Sequence, residues 1–278
     1  MTVLAKPAEA TAANMIAIAG IELEMLARGA GAPILYLHGG AGIAPDATFI
    51  DLLARRRRVF APSHPGFGKS SLPDWLDSVD DIAHVYIELL DRLALRRTDV
   101  VGLSLGGWIA AELATKVPER IDRLVLIAPV GVKTGRPDQL DIPDIFAMSR
   151  DKLDRLRFHD PARHAFDLAA MPEEELQIVA RNRETLALLT WEPYMHNPKL
   201  KHRLHWVNVP TLFLRGASDG IVSAEYLERY AALIPKARSD TIDEAGHLPQ
   251  VEQPDTTAAK VLHFLEEGKA AETSGARP

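Results

Sequence analysis

The sequence predicts an α/β protein: a mostly parallel sheet with helices on both faces and a helical stretch inserted between two strands. Three observations predict it. Short β-rich runs alternate with helix-patterned segments along most of the chain. Most of those runs are apolar throughout, as strands buried on both faces of a parallel sheet are. From about Gly131 to Trp206 that rhythm stops, and no convincing strand interrupts 131–206.

Taken in order, "MIAIAGIELEML" reads as a hairpin turning near Gly20. Glu22 and Glu24 break its apolar run, so it does not read as a secretory leader. Strands are expected at 32–39, 58–62, 98–103, 121–129, 209–216 and 237–243. Between them, "DDIAHVYIELLDRLAL", "AAELATKV" and "AEYLERYAALI" carry apolar residues at helical spacing. Strands alternating with helices imply right-handed crossovers. The basic run Arg55 to Arg58 follows "FIDLL" and reads as a solvated last helical turn that complements the helix dipole. The strandless region is punctuated by Pro137, Pro143, Pro161, Pro172, Pro193 and Pro198, and is too long for a loop. The expected organisation is a core in two parts, 1–130 and 207–268, a helical cap at 131–206, and a disordered tail at 269–278.

Composition narrows the function. The 278 residues are 47% hydrophobic and 25% charged, an ordinary globular balance. A net charge of −6 argues against nucleic acid or an anionic membrane as a partner. No apolar run approaches the ~20 residues of a membrane span. There are no cysteines, which excludes disulfides, thiol nucleophiles and Cys-ligated metals. A cytoplasmic chain acting on a small molecule is expected, with a homodimer left open.

The chemistry concentrates at Gly102-Leu103-Ser104-Leu105-Gly106. This G-x-S-x-G follows a strand and opens a helix. A serine at so sharp a turn takes a strained backbone, and flanking glycines remove clashing side chains. The hydroxyl then stands above the C-terminal edge of the sheet, beside free helix N–H groups. Serine needs a base. His247, in "DEAGHLPQVEQP", lies in a loop between the last expected strand and a terminal helix. The base needs an orienting carboxylate. Asp219 ends an apolar strand in "LFLRGASDGIVS", while Ser223 is better placed to cap the next helix. Asp243 and Glu244 are reserve acids. A tetrahedral oxyanion needs donors, and the backbone N–H groups of Gly40, in "LYLHGGAG", and Leu105 are assigned.

Together with "GIELEMLARGAGAPILYLHG", "APSHPGFGKS", "VPERIDRLVLIAP" and "NVPTLFLRGASDGIV", these motifs make the chain resemble the α/β-hydrolase family. It is similar to small capped members related to bacterial esterases and carbon–carbon bond hydrolases. The resemblance implies a mostly parallel eight-stranded sheet with an antiparallel N-terminal strand and a helical cap after the sixth strand. Ser63 departs from it, standing where many relatives have aspartate. "PGFGKSS" is not a phosphate loop, since Ser63 stands at the required first glycine and Ser71 at the third glycine of a dinucleotide fingerprint. His159 with His164, and His202 with His205, lack metal-ligand spacing, so neither metal nor cofactor is expected.

The expected reaction is hydrolysis of carboxylic esters of small, mainly apolar substrates through an acyl-enzyme. Carbon–carbon bond hydrolysis of vinylogous diketones, or lactone hydrolysis, is the alternative on the same triad. A hydrolase-fold binding protein is the non-enzymatic one. In the carbon–carbon relatives an asparagine typically precedes the nucleophile and a tryptophan often follows the histidine. Leu103 and Leu248 stand there in this chain. Arg181 and Arg183 read as a solvated helix face, the alternative being that they bind a substrate carboxylate. Phe146, Phe158, Phe166, Trp191, Tyr194 and Met195 are expected mainly in the cap's own core, and Trp108 beneath the nucleophile helix.

Overall fold

The protein, seen in a computed structural model, is described for residues 14–165 and 167–267. Phe166 and the expected tail at 269–278 lie outside the described residues. The strands are β1 (Asn14–Ile18), β2 (Ile21–Arg28), β3 (Pro33–Leu37), β4 (Arg58–Pro62), β5 (Thr98–Leu103), β6 (Ile121–Ile127), β7 (Thr211–Gly216) and β8 (Ala237–Ile242). They form one sheet in the order β1-β2-β4-β3-β5-β6-β7-β8. β2 runs antiparallel to both β1 and β4, and the remaining neighbours are parallel. The antiparallel member is therefore the second strand of the N-terminal hairpin, which turns through Ala19 and Gly20 at positive φ.

The helices are α1 (Ala47–Ala54), α2 (Val79–Arg92), α3 (Leu105–Lys116), α4 (Arg150–Arg157), α5 (Pro161–His164), α6 (Glu173–Thr190), α7 (Ala224–Ala231), α8 (Pro249–Glu252) and α9 (Pro254–Glu266). α2 begins where the Asp81 N–H donates to Ser78 Oγ, with acids in its first turn and Arg92 in its last. Alternate strand residues serve opposite faces. Leu35, Leu37, Val100, Leu124 and Phe213 join one core with α2, α3 and α7. Ile34, Tyr36, Val101, Val125 and Leu214 join the other with α1 and α9. Both faces are buried, which is why the strands read as unbroken apolar runs. The strand order reverses between β3 and β5, so the loops leaving their C-terminal ends flank the crevice where such sheets bind ligands.

α4, α5 and α6 lie between β6 and β7, in the strandless stretch. Its two ends meet: the Gly131 N–H donates to Met195 O and the Asn197 N–H to Gly131 O, both at 3.0 Å. Trp108 is buried and its indole N–H reaches Glu112 at 3.3 Å, beneath the start of this stretch. Phe158 is buried in the core shared with α9, whereas Phe146, Trp191 and Tyr194 pack on one another.

The basic run is a correction. α1 stops at Ala54, and only Arg55 and Arg56 stay exposed. Arg57 is buried against the equally buried Asp99 of β5 and also donates to the Ala32 carbonyl. Arg58 is already in β4 and lies over the Phe60 ring. A charge run read as one unit hides the residue that neutralises a buried carboxylate.

Candidate active site

β5 delivers Ser104 to the crevice. Ser104 has φ 50° and ψ −109°, a strained conformation for a residue with a Cβ. The turn is held by the Ser104 N–H donating to Ile127 O at 2.8 Å. It is tight enough that a Cβ on Gly106 would fall 2.0 Å from the Leu37 carbonyl oxygen, and one on Gly102 would fall 2.3 Å from that of Gly106. The glycines around the serine are thus required by the close approach of α3 to β3 and β5.

The structure brings the three predicted side chains together. The Ser104 hydroxyl donates to His247 Nε2 at 3.0 Å, and His247 Nδ1–H donates to Asp219 Oδ2 at 3.0 Å. His247 and Asp219 are buried, and Ser104 is half-buried. The other Asp219 oxygen accepts the N–H groups of Ile221 and Val222, each at 2.8 Å, so both oxygens are satisfied and the carboxylate plane is fixed. Ser223 caps α7, leaving Asp219 free for the imidazole. Asp243 and Glu244 are exposed and make no contact with the ring.

The two proposed oxyanion donors leave the ends of neighbouring strands. Leu105 is the first residue of α3 and Gly40 lies three residues beyond β3. Neither amide donates to a protein acceptor among the described residues. The Gly39–Gly40 peptide is held from its carbonyl side, where Gly39 O accepts His38 Nδ1–H at 2.7 Å and the Gly42 N–H at 3.0 Å. His38 Nε2 in turn accepts the His64 N–H at 3.0 Å, and the two rings stack at 3.8 Å. His64 donates from Nε2 to the His38 carbonyl and accepts from the Tyr86 hydroxyl. Burial lowers His38 to about 4, and burial with the neighbouring ring holds His64 well below its ordinary value. Both rings are therefore neutral near pH 7, as this donor–acceptor pattern requires.

A second buried network links the same loop to the histidine loop. Asp46 Oδ2 accepts the Tyr36 hydroxyl at 2.7 Å, and Oδ1 accepts Gln250 Nε2 at 2.8 Å. Burial pushes its carboxyl up to about 6. Sequence reasoning missed this pair. Asp46 precedes a helix and looks like a cap, although its side chain makes no cap bond. His38 carried a usable signal in standing directly before the glycine pair.

α6 covers the crevice. Leu186 lies across Gly40, with a methyl 2.6 Å from where a Cβ would stand. Arg181 donates to the carbonyls of Gly68 and Ser70, at 3.2 and 2.5 Å, and is not on a solvated face. Arg183 is exposed, as expected, and lies over the Phe146 ring. Ser63 keeps the loop after β4 in place by donating to Glu24 at 2.9 Å. Among the described residues no cluster of three or more His, Cys, Asp or Glu side chains is placed to hold a metal, and no helix is long and apolar enough to cross a membrane.

A family model described as alpha/beta hydrolase fold matches residues 32–254. A 2-hydroxymuconate semialdehyde hydrolase of Pseudomonas sp. (strain CF600) is 31% identical over 291 residues, covering 93% of this chain and 95% of that protein. A 2-hydroxy-6-oxo-2,4-heptadienoate hydrolase of Pseudomonas putida is 31% identical over 264 residues, covering 86% of this chain and 91% of its own length. Among solved structures, a carboxylesterase from Bacillus subtilis superposes with a TM-score of 0.75 at 24% identity, covering 94% of this chain and 93% of that one.

Proposed function

Because the chain belongs to the alpha/beta hydrolase fold family, we propose that it is a serine hydrolase cleaving carboxylic esters of small, mainly apolar substrates. The observation that carries the hydrolytic chemistry is the continuous chain from Ser104 through His247 to Asp219. His247 Nε2 takes the hydroxyl proton as Ser104 Oγ attacks the ester carbonyl carbon. The N–H groups of Gly40 and Leu105 receive the developing oxyanion. The imidazolium, steadied by Asp219, gives its proton to the departing alkoxide. Water deprotonated by His247 then attacks the acyl-enzyme, and Ser104 leaves with the proton returned. Residues 131–206 serve as the cap over this site. A serine also sets aside carbon-centred displacement of the epoxide or halide kind, since the resulting ether would not be cleaved by water.

The ester preference rests on what surrounds the triad. Leu103 is buried beneath Gly39 and Leu248 is buried after His247, so neither position offers a hydrogen bond to a dienol or carboxylate. Arg181 spends its guanidinium on loop carbonyls. The second reading, carbon–carbon bond hydrolysis, is favoured by the curated relatives, two of which are named for 2-hydroxymuconate semialdehyde and 2-hydroxy-6-oxo-2,4-heptadienoate. Measuring kcat/KM for p-nitrophenyl esters and for vinylogous diketo acids, on one preparation with a chelator present, separates them. Faster ester turnover is expected. Faster diketo acid turnover overturns the ester reading in favour of the second, and a metal requirement overturns both.

A further inference from the structure

We propose that Asn182 is a positioning residue for the oxyanion loop, so that this one side chain of α6 governs the chemical step. This rests on the serine-hydrolase reading above, with the Gly40 N–H as an oxyanion donor. Asn182 is 3% exposed. Its Nδ2 donates to the Ala41 carbonyl at 3.1 Å, and its Oδ1 accepts the Gly68 N–H at 2.9 Å. One carboxamide thereby joins the loop after β3 to the loop after β4.

The two peptides that bracket the Gly40–Ala41 unit are each held by a side chain. Gly39–Gly40 is gripped through the Gly39 carbonyl by His38, and Ala41–Gly42 through the Ala41 carbonyl by Asn182. An oxyanion donor acts by being aimed before charge develops, so a slack loop loses transition-state stabilisation even when substrate still binds. Gly42 is shaped for this contact: its φ is +85°, and a Cβ there would lie 2.4 Å from Asn182 Nδ2. The other polar side chains on this face of α6 hold only the second loop. Thr185 Oγ1 donates to Gly66 O at 2.9 Å, and Arg181 reaches Gly68 O and Ser70 O. Docking the helix and aiming the oxyanion loop are therefore separable by mutation.

The experiment compares wild type, Asn182→Ala, Asn182→Ser and Thr185→Val. It reads kcat and KM on p-nitrophenyl acetate, the rate of fluorophosphonate labelling at Ser104, and the melting temperature. The expected result for both Asn182 variants is a fall in kcat of roughly 10- to 100-fold, with labelling slowed in parallel and KM changed by less than about threefold. Thr185→Val should lower the melting temperature with kcat at least about tenfold above that of Asn182→Ala. The serine variant adds neither bulk nor charge, and it decides the question if the alanine variant does not fold. A kcat in the folded variants within about threefold of wild type, a loss confined to KM, or an equal kcat loss in Thr185→Val overturns the proposal. Wild type that is neither labelled at Ser104 nor active on the ester overturns the underlying reading instead.

Discussion

Replacing Asp46 by asparagine tests the buried network between the two site loops. Its carboxyl goes from 3.8 in an exposed setting to about 6 in the fold, chiefly by desolvation, against the opposing hydrogen bonds from Gln250 and Tyr36. The folded state therefore holds the proton more tightly than the unfolded chain, and ionisation weakens the fold. That penalty is absent well below pH 3.8, grows through the interval, and is complete above about 6. Linkage puts it at roughly 1.6 kcal/mol at pH 5 and about 3 kcal/mol at pH 8. The substituted asparagine would carry no such charge. Its oxygen still accepts from Tyr36, and its amide would take the place of the oxygen that accepts from Gln250, so it pairs once the Gln250 carboxamide flips to present its oxygen, which is buried with no partner among the described residues. The stability of Asp46→Asn minus that of wild type should therefore rise by about 1.4 kcal/mol between pH 5 and pH 8. His38 and His64 titrate in both proteins and cancel in that difference. Urea melts of both proteins at the two pH values measure it. A difference independent of pH, or one that falls with rising pH, refutes the buried ionisable carboxyl.

The other expectations concern the triad and two buried titratable or charged side chains. Ser104→Ala should fold and lose on the order of 10⁴-fold in kcat/KM, and turnover within about tenfold of wild type would sink the nucleophile assignment. Asp219→Asn should cost far more activity than Asp243→Asn, because only Asp219 meets the imidazole; the reverse order, read on the same ester, would place the acid elsewhere. His38, neutral in the fold with its imidazole lowered to about 4, should withdraw about 2 kcal/mol of stability as the pH drops from 7 to 5. His38→Asn should remove that slope in chemical denaturation, and an unchanged slope contradicts the neutral ring. Arg57→Ala strips Asp99 of its cationic partner and should destabilise the protein by about 3 kcal/mol or more, with a cost under about 1 kcal/mol arguing for a solvated arginine.

What was legible in the sequence is what local chemistry enforces. The strands could be read because burial on both faces leaves only apolar residues, and the elbow could be read because its glycines answer a local steric demand. Asp219 and His247 could be read because each follows a strand and precedes a helix. Arg57 could not, because its partner Asp99 lies 42 positions away and both sit in stretches of ordinary composition. Arg181 could not, because nothing along α6 says which face meets the loop after β4. Asn182 gave no signal either: its partners Ala41 and Gly68 come from two other loops. These contacts are set by tertiary approach, which spacing does not encode.

The inserted helices grip both halves of the site, and this bears on how its geometry is maintained. α4 ends at Arg157, and the last carbonyls of a helix have no partner within it. Leu156 O accepts the Gly220 N–H at 2.9 Å and Arg157 O accepts the His247 N–H at 2.7 Å. Gly220 follows the proposed acid, and His247 is the proposed base, so one helix terminus ties the two loops to each other. The buried Glu252 extends the tie, accepting N–H groups from Gly246 on one side and from His159 and Asp160 on the other. α6 does the same for the loop after β3 through Asn182. Ser104 is positioned by the sheet, through the Ile127 carbonyl and the start of α3. The distance from Ser104 to His247 is therefore a distance between something the sheet fixes and something the insertion helps to fix. Substitutions at the α4 terminus act on that distance from outside the triad, whereas substitutions in the sheet beneath β5 act on the serine first.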